Sequence, residues 1–169
     1  MVKIFTDGSS RGNPGKGGFG VVAMKDDVII WKYSGYCEKT TNNCEELKAI
    51  ALGIAYAILH EFKEDEYTIY SDSAYCINMI KDWMWTWAKN DWKNSKNVEI
   101  KNKPIVLVIY SYLKQLKYND KNFQKIAGHA NIAGNELADA LAKNDNNKFK
   151  KYLKIYNIVD NSDNKYRRF

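Results

Sequence analysis

Three short apolar runs joined by tight-turn signals, followed by one long amphipathic stripe, constrain this chain more than any other feature. Val2–Thr6, Phe19–Met24 and Val28–Tyr36 read as strands. The run Gly12-Asn13-Pro14-Gly15-Lys16-Gly17-Gly18 predicts a turn between the first two, and Asp26-Asp27 one between the second and third. Together they form an antiparallel meander. Leu47, Ile50, Ala51, Ile54, Ala55, Ile58 and Phe62 then recur at helical spacing, which predicts a helix over 43–62 with candidate N-caps at 41–43. Further strands are expected at Tyr67–Ser71 and Phe123–Ala127. Helices are expected from Ala74 to Ile80, from Trp83 to Ala88, from Pro104 to Leu116 and from Gly134 to Lys143. This order predicts an α/β fold with a five-stranded mixed sheet flanked by helices. The polar stretch 90–103 reads as an exposed excursion. Past Asn144 the composition turns to Lys, Asn, Asp and Tyr, so 144–169 reads as a poorly ordered tail in which Tyr152, Leu153, Ile155 and Ile158 are the residues able to dock.

Composition narrows the class. The chain has 169 residues, enough for one domain with one core, and a net charge of +6, which attracts polyanions. No apolar run reaches the length of a membrane span and no basic-apolar leader opens the chain. A cytoplasmic protein with no membrane partner is the expectation. Cys37, Cys44 and Cys76 make neither a disulfide framework nor a Cys-x-x-Cys metal motif. His60 and His129 lie too far apart in sequence for a zinc pair. The glycine-rich run leads into a strand and lacks Gly-Lys followed by Ser or Thr, so it is no Walker loop.

The chemistry rests on acids. Asp7 ends the first predicted strand and Asp72 the fourth. If those strands are parallel neighbours, about 4.8 Å apart, the two carboxylates can share a cation at one sheet edge. Taken singly, each motif is explained by an ordinary turn. On the long helix, Glu46 lies roughly 100° from the centre of the apolar stripe and Glu45 roughly 150°. Glu46 therefore flanks the buried face and needs a positive partner, while Glu45 is expected in water. Helical periodicity alone puts Asp139 on a solvated face. Clustered carboxylates without sulfur suit a hard cation such as Mg²⁺ or Mn²⁺. His60 near a helix end reads as structural, and His129 sits in a Gly-His-Ala turn.

Four of the five tryptophans fall in Trp83–Trp92, among Lys81, Lys89, Lys93, Lys96, Lys101 and Lys103. Aromatics interleaved with lysines can stack on sugars or bases and pair with phosphates. Some of these indoles are expected to pack the excursion onto the body, with the lysines outward.

Thr6-Asp7-Gly8-Ser9, Gly12-Asn13-Pro14-Gly15, Gly17-Gly18-Phe19-Gly20, Thr41-Asn42-Asn43, Glu46-Leu47, Ser71-Asp72-Ser73, Gly128-His129-Ala130 and Asn135-Glu136 with Asp139 follow one another in an order and spacing that resembles the type 1 ribonuclease H family, in its cellular form. The likeness covers Val2 to Lys143. It implies a catalytic domain over 1–143 with a basic protrusion at 81–103, and a sheet ordered 3-2-1-4-5. It implies Asp7, Glu46, Asp72 and Asp139 as ligands of two Mg²⁺ ions, with Mn²⁺ a possible substitute, which goes against the helical-face reading of Asp139. It makes His129 a mobile catalytic histidine. It places Asn13, Asn42, Asn43 and Glu46 near an RNA strand and Thr41 near a DNA phosphate. Trp83, Trp87, Lys89, Trp92, Lys93 and Lys96 become the grip of the protrusion. The implied activity is two-metal cleavage of the RNA strand of an RNA–DNA hybrid by a monomer, leaving 5′-phosphate and 3′-hydroxyl ends. Trp85 stands where bacterial members usually carry a polar residue, and the tail has no counterpart. Two rivals stay open: an integrase- or resolvase-like nuclease on the same fold, and a non-catalytic hybrid-binding module.

Overall fold

A computed structural model describes residues 1–162. Strand β1 (Val2–Gly12) pairs antiparallel with β2 (Gly15–Lys25), and β2 with β3 (Val28–Thr40). Helix α1 (Asn42–Leu59) leads to β4 (Tyr67–Ser71), which lies parallel to β1 on its other side. Helices α2 (Ala74–Asn78), α3 (Met84–Lys89) and α4 (Lys103–Gln115) follow, and β5 (Phe123–Lys125) pairs parallel with β4. Helix α5 (Ala133–Ala142), helix α6 (Asn146–Ile155) and strand β6 (Val159–Asp160) complete the described chain. The sheet runs β5-β4-β1-β2-β3-β6. The expected order is therefore present, with a sixth strand added beside β3.

Both faces of the sheet are covered, and adjacent residues split between them because side chains alternate along a strand. Ile4, Val21, Ala23 and Ile69 pack with Leu47, Ile50 and Ile54 of α1 and with Ile109 and Leu113 of α4. Their neighbours Phe5, Val22 and Met24 pack with Leu137, Ala138 and Leu141 of α5 on the other face. Two separate cores hold one central sheet.

Three expectations are corrected. The glycine-rich turn contracts to Asn13 and Pro14, because Gly17, Gly18 and Gly20 belong to β2. Helix α5 explains Gly20, because it lies against the strand there: a Cβ on Gly20 would come within 2.3 Å of the Ala138 carbonyl oxygen. The two short helices expected at Ala74 and Trp83 are one helical stretch, joined by a π-helical turn over Met79–Trp83. The largest correction is the tail. Phe149, Tyr152 and Leu153 lie at helical spacing among lysines, and α6 packs them with Ile158 against the second core. Asp145 caps that helix by accepting from the Lys148 backbone N–H at 2.9 Å. Strand β6 then pairs with β3 at Val28 and Ile29, and Lys32 pairs with Asp160 and donates to Ser162. Composition suggests disorder because it averages over the apolar positions. The remainder of the expected tail, 163–169, lies outside the described residues.

Candidate active site

Strand β1 continues five residues past Asp7, so Asp7 is not terminal as expected. What ends there is the parallel pairing with β4, whose last pair is Thr6 with Ser71. Asp7 and Asp72 are the next residues along each chain. They stand side by side where the two chains part, the usual position of a site in a parallel sheet. Gly8 brings in the third acid. A Cβ on Gly8 would meet the Glu46 nitrogen at 2.1 Å and the Glu45 carbonyl carbon at 2.4 Å. The start of α1 therefore lies directly on the strand and delivers Glu46 to Asp7. One carboxylate oxygen from each of Asp7, Glu46 and Asp72 lies within 4.8 Å of the others.

Asp7 and Glu46 are buried, at 6% and 5% exposure. Burial, then repulsion from Asp72 and Asp139, pushes the Asp7 carboxyl up to about 8. Burial, then repulsion from Asp7 and Asp72, raises Glu46 as well. The Oε2 atom of Glu46 is buried with no hydrogen-bond partner among the described residues. An all-oxygen set of crowded acids with an orphaned buried oxygen fits a hard divalent cation, which would supply the missing positive charge.

Stability should follow from this. Between the ordinary Asp value of 3.8 and about 8, the unfolded chain releases the Asp7 proton while the folded chain keeps it. Metal-free protein should therefore lose stability as pH rises through that window, with the loss complete above about 8. In EDTA, Asp7→Asn should melt higher than the parent at pH 8 and level with it near pH 4. Thermal melts across pH check this, and a constant gap would mean that Asp7 ionises normally.

Asp139 is buried too, at 6% exposure, and not solvated as its helical position suggests. Helix α5 packs so tightly on β1 and β2 that even its polar side is covered. Asp139 Oδ1 pairs with Lys143 Nζ at 2.5 Å, and Oδ2 accepts from Lys148 Nζ at 3.0 Å. Burial would raise its pKa, but these lysines outweigh that and hold it below the usual value. Asp139 faces Asp7, which it helps to raise, but lies outside the tight group of three. Glu45 is a further correction. It is fully buried, accepting from Thr40 Oγ1 at 2.7 Å and from Lys48 at 2.5 Å. The close seat of α1 on β1 buries the side that periodicity assigns to water.

His129 is exposed on the loop between β5 and α5, with φ +54°. That loop touches the acids. A Cβ on Gly128 would lie 2.9 Å from Asp72 Oδ2, and the Ile126 N–H donates to the Ser71 carbonyl.

On the other side of Glu46, the Asn13 turn is tied to the start of α1: Asn13 Oδ1 accepts from the Asn42 N–H at 2.9 Å. Thr41 caps the helix by accepting from the Cys44 N–H. Asn13, Thr41, Asn42 and Asn43 line an open groove of about 520 Å³ with Lys101 and Asn102. In the sequence, Lys101 stands out only as part of the excursion's charge, and Asn102 does not stand out at all. Its left-handed φ of +57°, which turns the excursion back into α4, has no signal beyond Asn being tolerant of it.

The excursion's indoles pack its base. Trp83 contacts Tyr75 and Trp87, and Trp92 lies edge-on to Tyr110. The divergent Trp85 donates from its indole N–H to the Ile80 carbonyl at 2.7 Å and lies against Tyr110 and Tyr118. Lys89 and Lys96 are exposed to solvent, whereas Lys93 pairs with Asp91 at 3.3 Å.

The sequence model of the RNase H family matches residues 1–147. The chain belongs to the ribonuclease H family. It is 39% identical over 144 residues to the ribonuclease H of Haemophilus influenzae (strain 86-028NP), covering 85% of this chain and 88% of the relative. It is 38% identical over 145 residues to the ribonuclease H of Caldicellulosiruptor saccharolyticus, covering 84% of this chain and 93% of the relative. Solved structures share the fold at lower identity. LC11-RNase H1, in complex with an RNA/DNA hybrid, superposes with a TM-score of 0.63 at 23% identity, covering 85% of this chain and 95% of that one. The PFV RNase H domain gives 0.69 at 21% identity, covering 85% and 93%. Among the described residues, no helix is long and apolar enough to cross a membrane.

Proposed function

We propose that this ribonuclease H cuts the RNA strand of RNA–DNA hybrids internally, at the cluster of Asp7, Glu46 and Asp72, in a reaction that requires a divalent cation. The observation that carries this reading is the meeting of three acids from β1, α1 and the end of β4 beside an open polar groove. Asp7, Glu46 and Asp72, with Asp139 opposite Asp7, would hold Mg²⁺, as two ions, with Mn²⁺ able to replace it. When bound, such ions activate a water and stabilise the leaving 3′ oxygen, which gives 5′-phosphate and 3′-hydroxyl ends. The protein's part is to crowd three acids beside Asp139, a repulsion that a bound divalent ion would relieve. His129, on the loop against Asp72, assists proton movement or product release. Asn13, Asn42 and Asn43 read the RNA strand through its 2′-hydroxyls, and Thr41 receives a phosphate of the DNA strand. Trp83, Trp87 and Trp92 with Lys89, Lys93 and Lys96 form the protrusion that grips the duplex.

The test is one labelled hybrid, with and without Mg²⁺, beside duplex DNA and single strands. Cleavage of the RNA strand alone, only with the ion, is the expected result. Comparable cutting of duplex DNA would point to an integrase- or resolvase-like nuclease, and tight hybrid binding without any cleavage to a binding module.

The protrusion has its own test. Changing Lys89, Lys93 and Lys96 to Ala should weaken hybrid binding and flatten its dependence on salt, by about 0.9 in log–log slope for each phosphate that is no longer neutralised. Lys93 should contribute least, because Asp91 already neutralises it in the free protein. Affinity and slope both equal to the parent's would make these lysines a solvated surface.

A further inference from the structure

The described C-terminal segment reaches the acids. Helix α6 starts directly behind α5: the Asn144 N–H donates to the Leu141 carbonyl and the Asp145 N–H to the Ala140 carbonyl. Asn144 takes φ +53° at this reversal. The reversal folds the first turn of α6 back over Asp139, where Lys148 meets Oδ2 at 3.0 Å. Lys148 is held there from two sides. Its backbone N–H is fixed by the Asp145 cap, and its ammonium lies 5.5 Å from the Tyr152 ring centre, one helical turn on. Lys143 holds the other oxygen. In the free protein, both oxygens of Asp139 are thus occupied by ammonium groups, while Glu46 Oε2 across the site has no hydrogen-bond partner among the described residues. The family match ends at residue 147, one short of Lys148.

We propose that Lys148 is a positioning residue of the metal site: it holds Asp139 in place as a built-in cation, and a divalent ion binding at Asp139 competes with it. The proposal rests on the metal reading above. An ammonium and a divalent ion on the same carboxylate repel each other at close range, so ion binding at Asp139 and the Lys148 pair compete. Helix α6 therefore weakens ion binding at this one position and raises the concentration of divalent ion needed to fill it. It also lowers the repulsion between Asp139 and Asp7 when no ion is present. Lys148 can withdraw its ammonium without disturbing α6. Its side chain is one-third exposed and it sits on the first turn of a helix anchored further along by Phe149 and Leu153.

The test uses the full chain as parent, Lys148→Met and Lys148→Arg. Mg²⁺ binding is read by calorimetry, and melting temperature is measured in EDTA and in saturating Mg²⁺. Lys148→Met should bind Mg²⁺ roughly 2- to 5-fold more tightly, the worth of a partly exposed ion pair. It should melt below the parent in EDTA, and the deficit should shrink or reverse in Mg²⁺. Lys148→Arg should restore parental binding and melting. A purely structural lysine would lower both melting temperatures equally and leave the Mg²⁺ midpoint unchanged, and that result overturns the proposal while leaving the metal reading intact. Absence of Mg²⁺ binding by the parent itself would overturn both.

Discussion

Asp7→Asn, or separately Asp72→Asn, should remove detectable cleavage of a hybrid while the protein stays folded. Each side chain supplies one of three oxygens that meet within 4.8 Å. An amide is a much poorer ligand for Mg²⁺ than a carboxylate, and the geometry leaves no neighbouring acid free to replace it. Asp139 is drawn towards Lys143 and Lys148, and Glu45, held at Oε1 by Thr40 and Lys48, lies outside the group of three. Loss of fold is not the expected cause. Substituting an amide relieves a crowded set of negative charges, so metal-free Asp7→Asn should be at least as stable as the parent at neutral pH. Steady-state rates, Mg²⁺ calorimetry and melts on the same preparations separate the two effects. A folded variant that turns over at near the parental rate would disprove the assignment of these acids.

His129→Ala should slow turnover by about 10²–10⁴-fold, the usual contribution of a general acid–base helper, and leave residual cleavage dependent on Mg²⁺. His129 is exposed beside the acids and is not one of the three that cluster. Removing its imidazole leaves the ligand set whole, so hybrid affinity and Mg²⁺ binding should stay near parental. Its left-handed backbone, φ +54°, is one that histidine tolerates somewhat better than alanine, so at most a small loss of stability accompanies the change. A structural turn histidine behaves in the opposite way, with a lower melting temperature and an unchanged rate. Loss of Mg²⁺ binding would make His129 a ligand.

Gly8→Ala should act through packing. The added methyl would meet backbone atoms of Glu45 and Glu46, which cannot rotate away, so α1 must lift from β1. Overpacking of this kind costs about 1–3 kcal/mol. Denaturant melts measure that cost, and a rate loss exceeding it would report the displacement of Glu46 from Asp7.

The meander, α1, β4 and the order of elements are legible in the sequence because their signals are local: alternation of period 2, a stripe of period 3.6, Asp-Asp at a turn. The pairing of Asp7 with Asp72 is legible only as a condition, that two strands be parallel neighbours, and the sheet meets it. Periodicity fails where one element presses on another. Glu45 and Asp139 both lie on helix faces that a lone helix would expose, and both are buried because glycines at Gly8 and Gly20 let the helices sit closer to the strands than side chains ordinarily permit. Those glycines are visible, but a glycine in sequence signals a turn as readily as a close approach. The docked part of the tail is hidden for a different reason. Five lysines within 143–154 mask three apolar residues at the right spacing, and only the cap at Asp145 marks a helix start.

The acids come from positions 7, 46, 72 and 139, and the two outermost are separated by most of the chain. None of the local units, the meander, the α1 hairpin back to β4 or the α5–α6 pair, contains more than two of them. The full set of four therefore requires a long-range closure, the seating of α5 on β1 and β2, in addition to the sheet. A chain emerging from synthesis makes its meander and α1 long before Asp139, so the proposed four-acid site is complete only with the C-terminal third.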